Sequence, residues 1–223
     1  MIGVVIPAYD AEKTVGQAAA GALRHLGDVL VVDDGSRDAT CRQASAAGAR
    51  VIRHAMNRGK GAALRTGFSE MRRLGADAVI TMDADLQHDP DDIPRFVEAF
   101  RDRQPDLIIG SRQACFGSMT RGRRFGNRFS SCALRFFSGL DVADSQSGFR
   151  LYSAGFLDTL QLRRNAYDAE MEVLLVAARH RRRIETIQIA TNHPDGTPTS
   201  YFRPWLDTYR ICRTVLLFSI GIF

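Results

Sequence analysis

Asp83-Ala84-Asp85-Leu86-Gln87-His88 sets two carboxylates one residue apart, then an amide and an imidazole, directly after an apolar run. In an extended chain the two aspartates would face opposite ways. A turn beginning at Ala84 lets Asp83, Asp85 and Gln87 converge on one ion, with His88 beside it. Oxygen donors of this kind suit Mg²⁺ or Mn²⁺, ions that keep positions open for diphosphate oxygens. Two further acidic clusters end apolar runs, Pro7-Ala8-Tyr9-Asp10-Ala11-Glu12 and Asp33-Asp34-Gly35-Ser36. So many carboxylates at neighbouring run ends repel one another unless cations or strong donors are bound among them. Asp34-Gly35-Ser36-Arg37-Asp38 alone reads equally well as a turn and helix N-cap. Three such clusters together do not.

Asn57-Arg58-Gly59-Lys60-Gly61 is the anionic ligand's counterpart. Its glycines allow close backbone approach, and the helix that follows offers free N–H groups to an anion. Lys60 and Arg65 add positive charge, or solvate a helix face. The third glycine of a dinucleotide fingerprint is missing.

These groups need elements to position them. Apolar runs Ile2–Ile6, Val29–Val32, Arg50–Arg53, Ala78–Met82 and Leu107–Gly110 read as strands. Segments of helical period lie between them; in Lys60–Leu74, Leu64, Phe68 and Met71 share one face. Gly48 and Gly75 stand where helices would end. Repeated strand–helix–strand units predict an α/β fold, a mainly parallel twisted sheet with helices on both faces. In such sheets ligands bind beyond the carboxyl ends of the strands, where the acidic clusters lie. Past Gly110 the pattern predicts a helix over Arg123–Ser138, a loop Gly139–Gly148 and a strand Phe149–Tyr152. A helix Ala169–His180, a strand Ile184–Ile189, a loop Thr191–Thr199 and a helix Trp205–Phe218 complete the chain. The reading is one domain over residues 1–223: a donor half 1–110, an acceptor half 111–200 and a C-terminal amphipathic helix 201–223.

With 223 residues, 45% hydrophobic and 25% charged, the chain suits one globular core and not a disordered one. A net charge of +5 and a pI near 9.3 suit an anionic partner. No nucleic-acid reading module is present, so nucleic acid is not expected. Cys41, Cys115, Cys132 and Cys212 include no Cys-x-x-Cys pair, which argues against a zinc knuckle or disulfide framework and for a reduced, cytoplasmic compartment. No run reaches the roughly 18 apolar residues that cross a bilayer. Arg121, Arg123, Arg124, Arg128 and Arg135 among Phe125, Phe129, Phe136 and Phe137 read as a helix lying on an anionic membrane surface, or as a solvated face over a core stripe.

Taken in order, Val5-Ile6-Pro7-Ala8-Tyr9, Val31-Val32-Asp33-Asp34-Gly35-Ser36, Asn57-Arg58-Gly59-Lys60-Gly61 and Met82-Asp83-Ala84-Asp85-Leu86-Gln87-His88 resemble the inverting family-2 glycosyltransferases, most closely the polyprenyl (dolichyl) phosphate mannose or glucose synthases. The resemblance covers roughly residues 2–190. It implies a GT-A fold and transfer from a GDP- or UDP-sugar to polyprenyl phosphate or another lipid acceptor, with Mg²⁺ or Mn²⁺. It implies that Pro7, Tyr9, Glu12 and Asp34 surround the nucleoside, and that Asp83, Asp85 and Gln87 bind metal and diphosphate. Asp144-Ser145-Gln146-Ser147-Gly148-Phe149-Arg150 resembles the family's acceptor loop, and Glu172 matches an acidic position. Asp144 or Glu172 would act as general base on a hydroxyl. A phosphate acceptor needs none, and Arg150 would hold it, unless Arg150 pairs with Asp144 or Asp141. Asp10 stands where the family has Asn, and Arg203 where many relatives have a lysine near the diphosphate. A sugar nucleotidyltransferase would carry a basic Gly-rich loop after the first strand, where Pro7–Glu12 stands. A catalytically silent binding module would not need the intact Asp83, Asp85 and Gln87.

Overall fold

The computed structural model describes residues 1–112, 121–142, 144–190 and 204–219, and side-chain surroundings for these except 121–129, 204–208 and 219. The predicted loop Thr191–Thr199 and Arg203 lie outside the described residues. In chain order run β1 Ile2–Ala8, α1 Val15–Leu23, β2 Val29–Asp33, α2 Thr40–Ala46, β3 Arg50–Arg53, α3 Lys60–Arg73 and β4 Ala78–Thr81. Then come α4 Ile93–Arg103, β5 Leu107–Ser111, α5 Arg121–Ser138, β6 Arg150–Ser153, α6 Ala154–Leu157, α7 Asp168–Arg179, β7 Ile184–Gln188 and α8 Pro204–Ser219. Gly48 (φ +93°) and Gly75 (φ +80°) end α2 and α3 in the left-handed conformation.

The seven strands form one sheet in the order β3-β2-β1-β4-β6-β5-β7. All neighbours are parallel except β6, which runs antiparallel to both β4 and β5. The periodicity of a strand carries no direction, so this reversal is new information from the structure. It has a functional consequence. The reversed strand brings Gly148-Phe149-Arg150 to the edge where β4 ends, with Thr81 opposite Arg150.

Two-residue alternation sends the strands' side chains to two cores. Val5, Leu30, Val32, Val79, Leu107 and Ile109 meet Leu64, Phe68 and Met71 of α3 and Met171 and Leu174 of α7. Val4, Ile6, Val29, Val31, Ile80 and Ile108 meet Ala18 and Ala22 of α1 and Ile93 and Phe96 of α4. Both faces are covered, as a parallel sheet requires. α8 packs on α5 and α7 over the first of these cores.

α3 lies against β1 closely enough that a β-carbon on Gly67 would overlap the fully buried Val5 side chain. Alanine's helix propensity favours Gly67→Ala by about 1 kcal/mol, but overpacking a rigid core costs about 1–3 kcal/mol. The clash should win. Urea unfolding of Gly67→Ala is expected to show a net loss of stability; an unchanged or raised midpoint would contradict the contact.

Candidate active site

β1, β2 and β4 are parallel neighbours, so the segments that follow them leave from one edge of the sheet. The Asp34 N–H donates to the Ala8 carbonyl (2.8 Å) and the Met82 N–H to the Val5 carbonyl (3.1 Å), extending the ladder to the acidic clusters themselves. The loop before α3 crosses the same edge. The Asp34 carboxylate accepts the Arg58 and Gly59 N–H groups, the latter at 2.6 Å. Gly59 sits at φ +95°, and a β-carbon there would overlap the Asn165 carbonyl. The loop is pinned from both sides.

That pinning delivers Lys60. Its ammonium lies 2.6 Å from Asp83 Oδ1 and 2.7 Å from Glu170 Oε1 on α7. Burial alone would push the ammonium down, but the charges of Asp83 and Glu170 outweigh it and hold it above the usual lysine range. Burial likewise opposes the charge on Asp83, and Lys60 with His88 hold that carboxyl well below the usual range. Asp85 is the reverse case. Burial, and then the charge of Asp83, push it up to about 6.

The Asp83–His88 turn is made by Leu86 at φ +63° and by Asp85 Oδ1 accepting the Gln87 N–H at 3.1 Å. Buried His88 lies 3.5 Å from Asp83 and 5.2 Å, ring to ring, from Phe149. Beneath Asp83 lies Gly148, where a β-carbon would come within 2.6 Å of Oδ2. Arg112, just past β5, grips fully buried Asp144 through Nε (2.8 Å), Nη2 (3.0 Å) and its own N–H. Burial lowers the Arg112 guanidinium, but Asp144 and then Asp83 and Glu170 raise it further.

The donors here fit a divalent ion. Asp83, Asp85, Glu170 and Asp144 outnumber the cations beside them, Lys60, Arg112 and the buried Arg150, so the cluster keeps an excess of negative charge that one Mg²⁺ or Mn²⁺ would offset. Burial first, and then the charge of Asp83, raise the Asp85 carboxyl in the same place. Among the described residues no three His, Cys, Asp or Glu side chains form a ready cage. Such an ion would therefore take Asp83 and Asp85, with remaining positions filled by Gln87, water or ligand oxygens.

Several predicted site residues have other work. Arg150 is fully buried and donates to the carbonyls of Ser147 (2.7 Å), Glu170 (2.8 Å) and Ser145 (2.8 Å). It neither presents a free cation to an acceptor nor pairs with Asp144 or Asp141; it fastens the 144–149 loop to α7. Fully buried Glu172 accepts the Arg163 and Arg164 N–H groups at 2.9–3.0 Å, which removes it from general-base duty. Its neighbour two positions back, about 200° around the helix, is Glu170, which sequence reasoning missed. Arg65 donates to the Leu162 and Arg164 carbonyls and to Asn165, holding that loop. Asp34 is buried among N–H groups, and Glu12 accepts the Ala39 N–H ahead of α2 (3.0 Å). Pro7 and Tyr9 remain half-buried at the edge. A shallow groove of about 380 Å³ lined by Arg58, Arg65, Thr66 and Ser69 includes none of the site carboxylates.

A mainly parallel sheet with an Asp-x-Asp turn and a basic helix start at one edge is the plan of a GT-A glycosyltransferase. The chain belongs to glycosyl transferase family 2, whose family model matches residues 3–161. It is similar to the UDP-N-acetylglucosamine–dolichyl-phosphate N-acetylglucosaminyltransferase of Methanococcus voltae, 31% identical over 214 residues, 86% of this chain and 85% of that one. It is also similar to the undecaprenyl-phosphate mannosyltransferase of Micrococcus luteus, 32% identical over 199 residues, 83% of this chain and 81% of that one. In fold it matches glucosyl-3-phosphoglycerate synthase from Mycobacterium tuberculosis, crystallised with Mn²⁺, UDP-glucose and phosphoglyceric acid. That match has a TM-score of 0.75 at 23% identity, covering 99% of this chain and 80% of that one.

Two outcomes follow from these charges. Lys60→Met leaves Asp83 and Glu170 uncompensated and should cost about 3 kcal/mol in urea unfolding, with Mn²⁺ recovering more of that loss than it adds to the wild type. Recovery no larger than the wild-type gain would contradict the charge balance. Because Asp85 holds its proton up to about 6, a metal must displace it below that pH. Mn²⁺ affinity should therefore fall roughly tenfold from pH 7 to pH 5, read by calorimetry; a flat profile over that range would exclude Asp85 as a ligand.

Proposed function

We propose that this chain moves a sugar from a UDP- or GDP-sugar to a polyprenyl phosphate, with inversion, at a membrane surface. One observation favours a phosphate acceptor over a hydroxyl. Among the described residues the carboxylates of the predicted acceptor side are already engaged: Asp144 by Arg112, Glu170 by Lys60 and Glu172 by backbone N–H groups. A hydroxyl acceptor needs a base, whereas a phosphate oxygen is already anionic. Both named relatives act on polyprenyl-type phosphates, which supports the same reading.

In the proposed reaction the acceptor oxygen forms its bond to the anomeric carbon while the bond to the diphosphate oxygen breaks. The leaving diphosphate keeps the electron pair. Lys60 lies where that charge develops, and the pinned loop holds it there before substrate arrives. Arg112, oriented by Asp144, offers a second fixed guanidinium suited to phosphate oxygens. Mg²⁺ or Mn²⁺ bound at Asp83 and Asp85 would act as a Lewis acid on the diphosphate. Residues 1–110 would serve the donor and 111–200 the acceptor.

Attachment to the membrane rests on α5 and α8. α5 carries Arg121, Arg123, Arg124, Arg128 and Arg135 and no acidic residue. Phe136 is 81% exposed near its end, and α8, packed beside it, exposes Tyr209 and Leu216. Exposed aromatics beside clustered arginine suit an anionic lipid interface. Among the described residues no helix is long and apolar enough to cross a membrane.

A panel of UDP- and GDP-sugars with Mn²⁺ should release nucleoside diphosphate with one donor, and faster when polyprenyl phosphate is added. Release that ignores the lipid phosphate but rises with a sugar or lipid hydroxyl would overturn the acceptor. In flotation with anionic liposomes, the double change Phe136→Ser and Phe137→Ser should weaken a salt-sensitive association. Equal flotation of wild type and variant would remove these residues from the interface.

A further inference from the structure

His54 is the first residue past β3, and its N–H donates to the Asp33 carbonyl (2.8 Å). Its buried ring is used at both nitrogens. Nδ1 lies 2.6 Å from Asp34 Oδ1, and Nε2 lies 2.9 Å from Thr66 Oγ1 on α3. A carboxylate only accepts, so Nδ1 carries the proton toward Asp34. Burial alone would be met by any apolar side chain; two directed polar contacts to two elements call for another reason.

We propose that His54 is a positioning residue for transfer: it fixes the Asp34 carboxylate, which in turn fixes the loop that delivers Lys60. The proposal rests on the reading that Lys60 meets the donor's diphosphate.

The path is continuous. His54 holds Oδ1 of Asp34. The carboxylate so oriented takes the Arg58 N–H on both oxygens (3.0 and 3.1 Å) and the Gly59 N–H on Oδ2 (2.6 Å). The next residue is Lys60, between Asp83 and Glu170. On the far side the loop is confined by the Asn165 carbonyl, which accepts the Gly61 N–H at 2.8 Å. On the near side Gly35, at φ +77°, lies so close to Met56 and Asn57 that a β-carbon would overlap them. The loop therefore has little play except through rotation of the Asp34 carboxylate, the freedom that the imidazole removes. Thr66 anchors the other end of the ring to the helix that the loop starts, so one ring ties strand end, loop and helix together.

Asparagine places an N–H donor where Nδ1 is, and glutamine places one where Nε2 is. His54→Asn keeps the bond to Asp34 and loses Thr66; His54→Gln does the opposite. Calorimetry of UDP and of GDP with Mn²⁺ is expected to show about tenfold weaker binding for His54→Ala and His54→Gln, and near-wild-type binding for His54→Asn. Thermal melts of the same proteins should not follow that order, since both amides lose one of two contacts. Hydrogen exchange at the Arg58 and Gly59 amides should rise in His54→Ala and His54→Gln but not in His54→Asn, with no nucleotide present. If His54→Ala does not fold, the asparagine–glutamine pair carries the comparison. Binding and exchange that track the melting temperature, or an asparagine variant as impaired as glutamine, would overturn the proposal. A wild type that binds neither nucleotide, while exchange still follows the expected order, would instead end the donor reading and leave His54 as a holder of the loop alone.

Discussion

Two carboxylates share one ammonium where β4 ends. Asp83, Glu170 and Lys60 come from three separate elements, and all three are largely removed from water. Withdrawing such charges costs several kcal/mol each, and only close mutual contact offsets it. The trio therefore imposes a strict geometric condition. The start of α3, the end of β4 and the first turn of α7 must meet within a few ångströms or leave an uncompensated charge. Much of the surrounding structure can be understood as meeting that condition. Gly148 leaves room for the Asp83 carboxylate, Arg150 ties α7 to the loop beneath it, and Asp34 gathers the loop that carries Lys60.

The proposed function asks the same arrangement to hold an ion and an anion together. Lys60 satisfies one oxygen of Asp83, while Asp85, buried and then also close to the charge of Asp83, holds its proton to about 6. In the proposed reaction a divalent ion would offset the excess of negative charge, and the diphosphate would meet Lys60 and Arg112. Neither cation needs to travel to reach it. Fixed charges of this kind stabilise a developing negative charge without reorganising at the moment of reaction, which is where preorganised sites gain most of their effect.

What the sequence disclosed was whatever is local. The strands, the Asp-x-Asp turn and the glycine-flanked Lys60 each sit in a few consecutive residues, and parallel strand order then puts their ends on one edge. What it concealed depends on distant partners. Glu170 and Glu172 are two residues apart on a helix buried on nearly every side, so no polar face marks which of them looks into the site. Arg65 and Arg150 are, by residue type, good ligand cations; only the fold reveals the carbonyls that occupy them. Arg112 needed Asp144 to become visible, and His54 needed Asp34 and Thr66. The reversed β6 was hidden because alternation looks the same in either direction.

The central claim is that aspartates from the β4 turn hold a divalent ion against a diphosphate that Lys60 also meets. Anomalous diffraction from crystals grown with Mn²⁺ and UDP tests it directly. The manganese peak is expected between Asp83 and Asp85, with the diphosphate between it and Lys60. A peak elsewhere, or a diphosphate seated in the groove by Arg58 and Arg65 with no metal at Asp83, would contradict it.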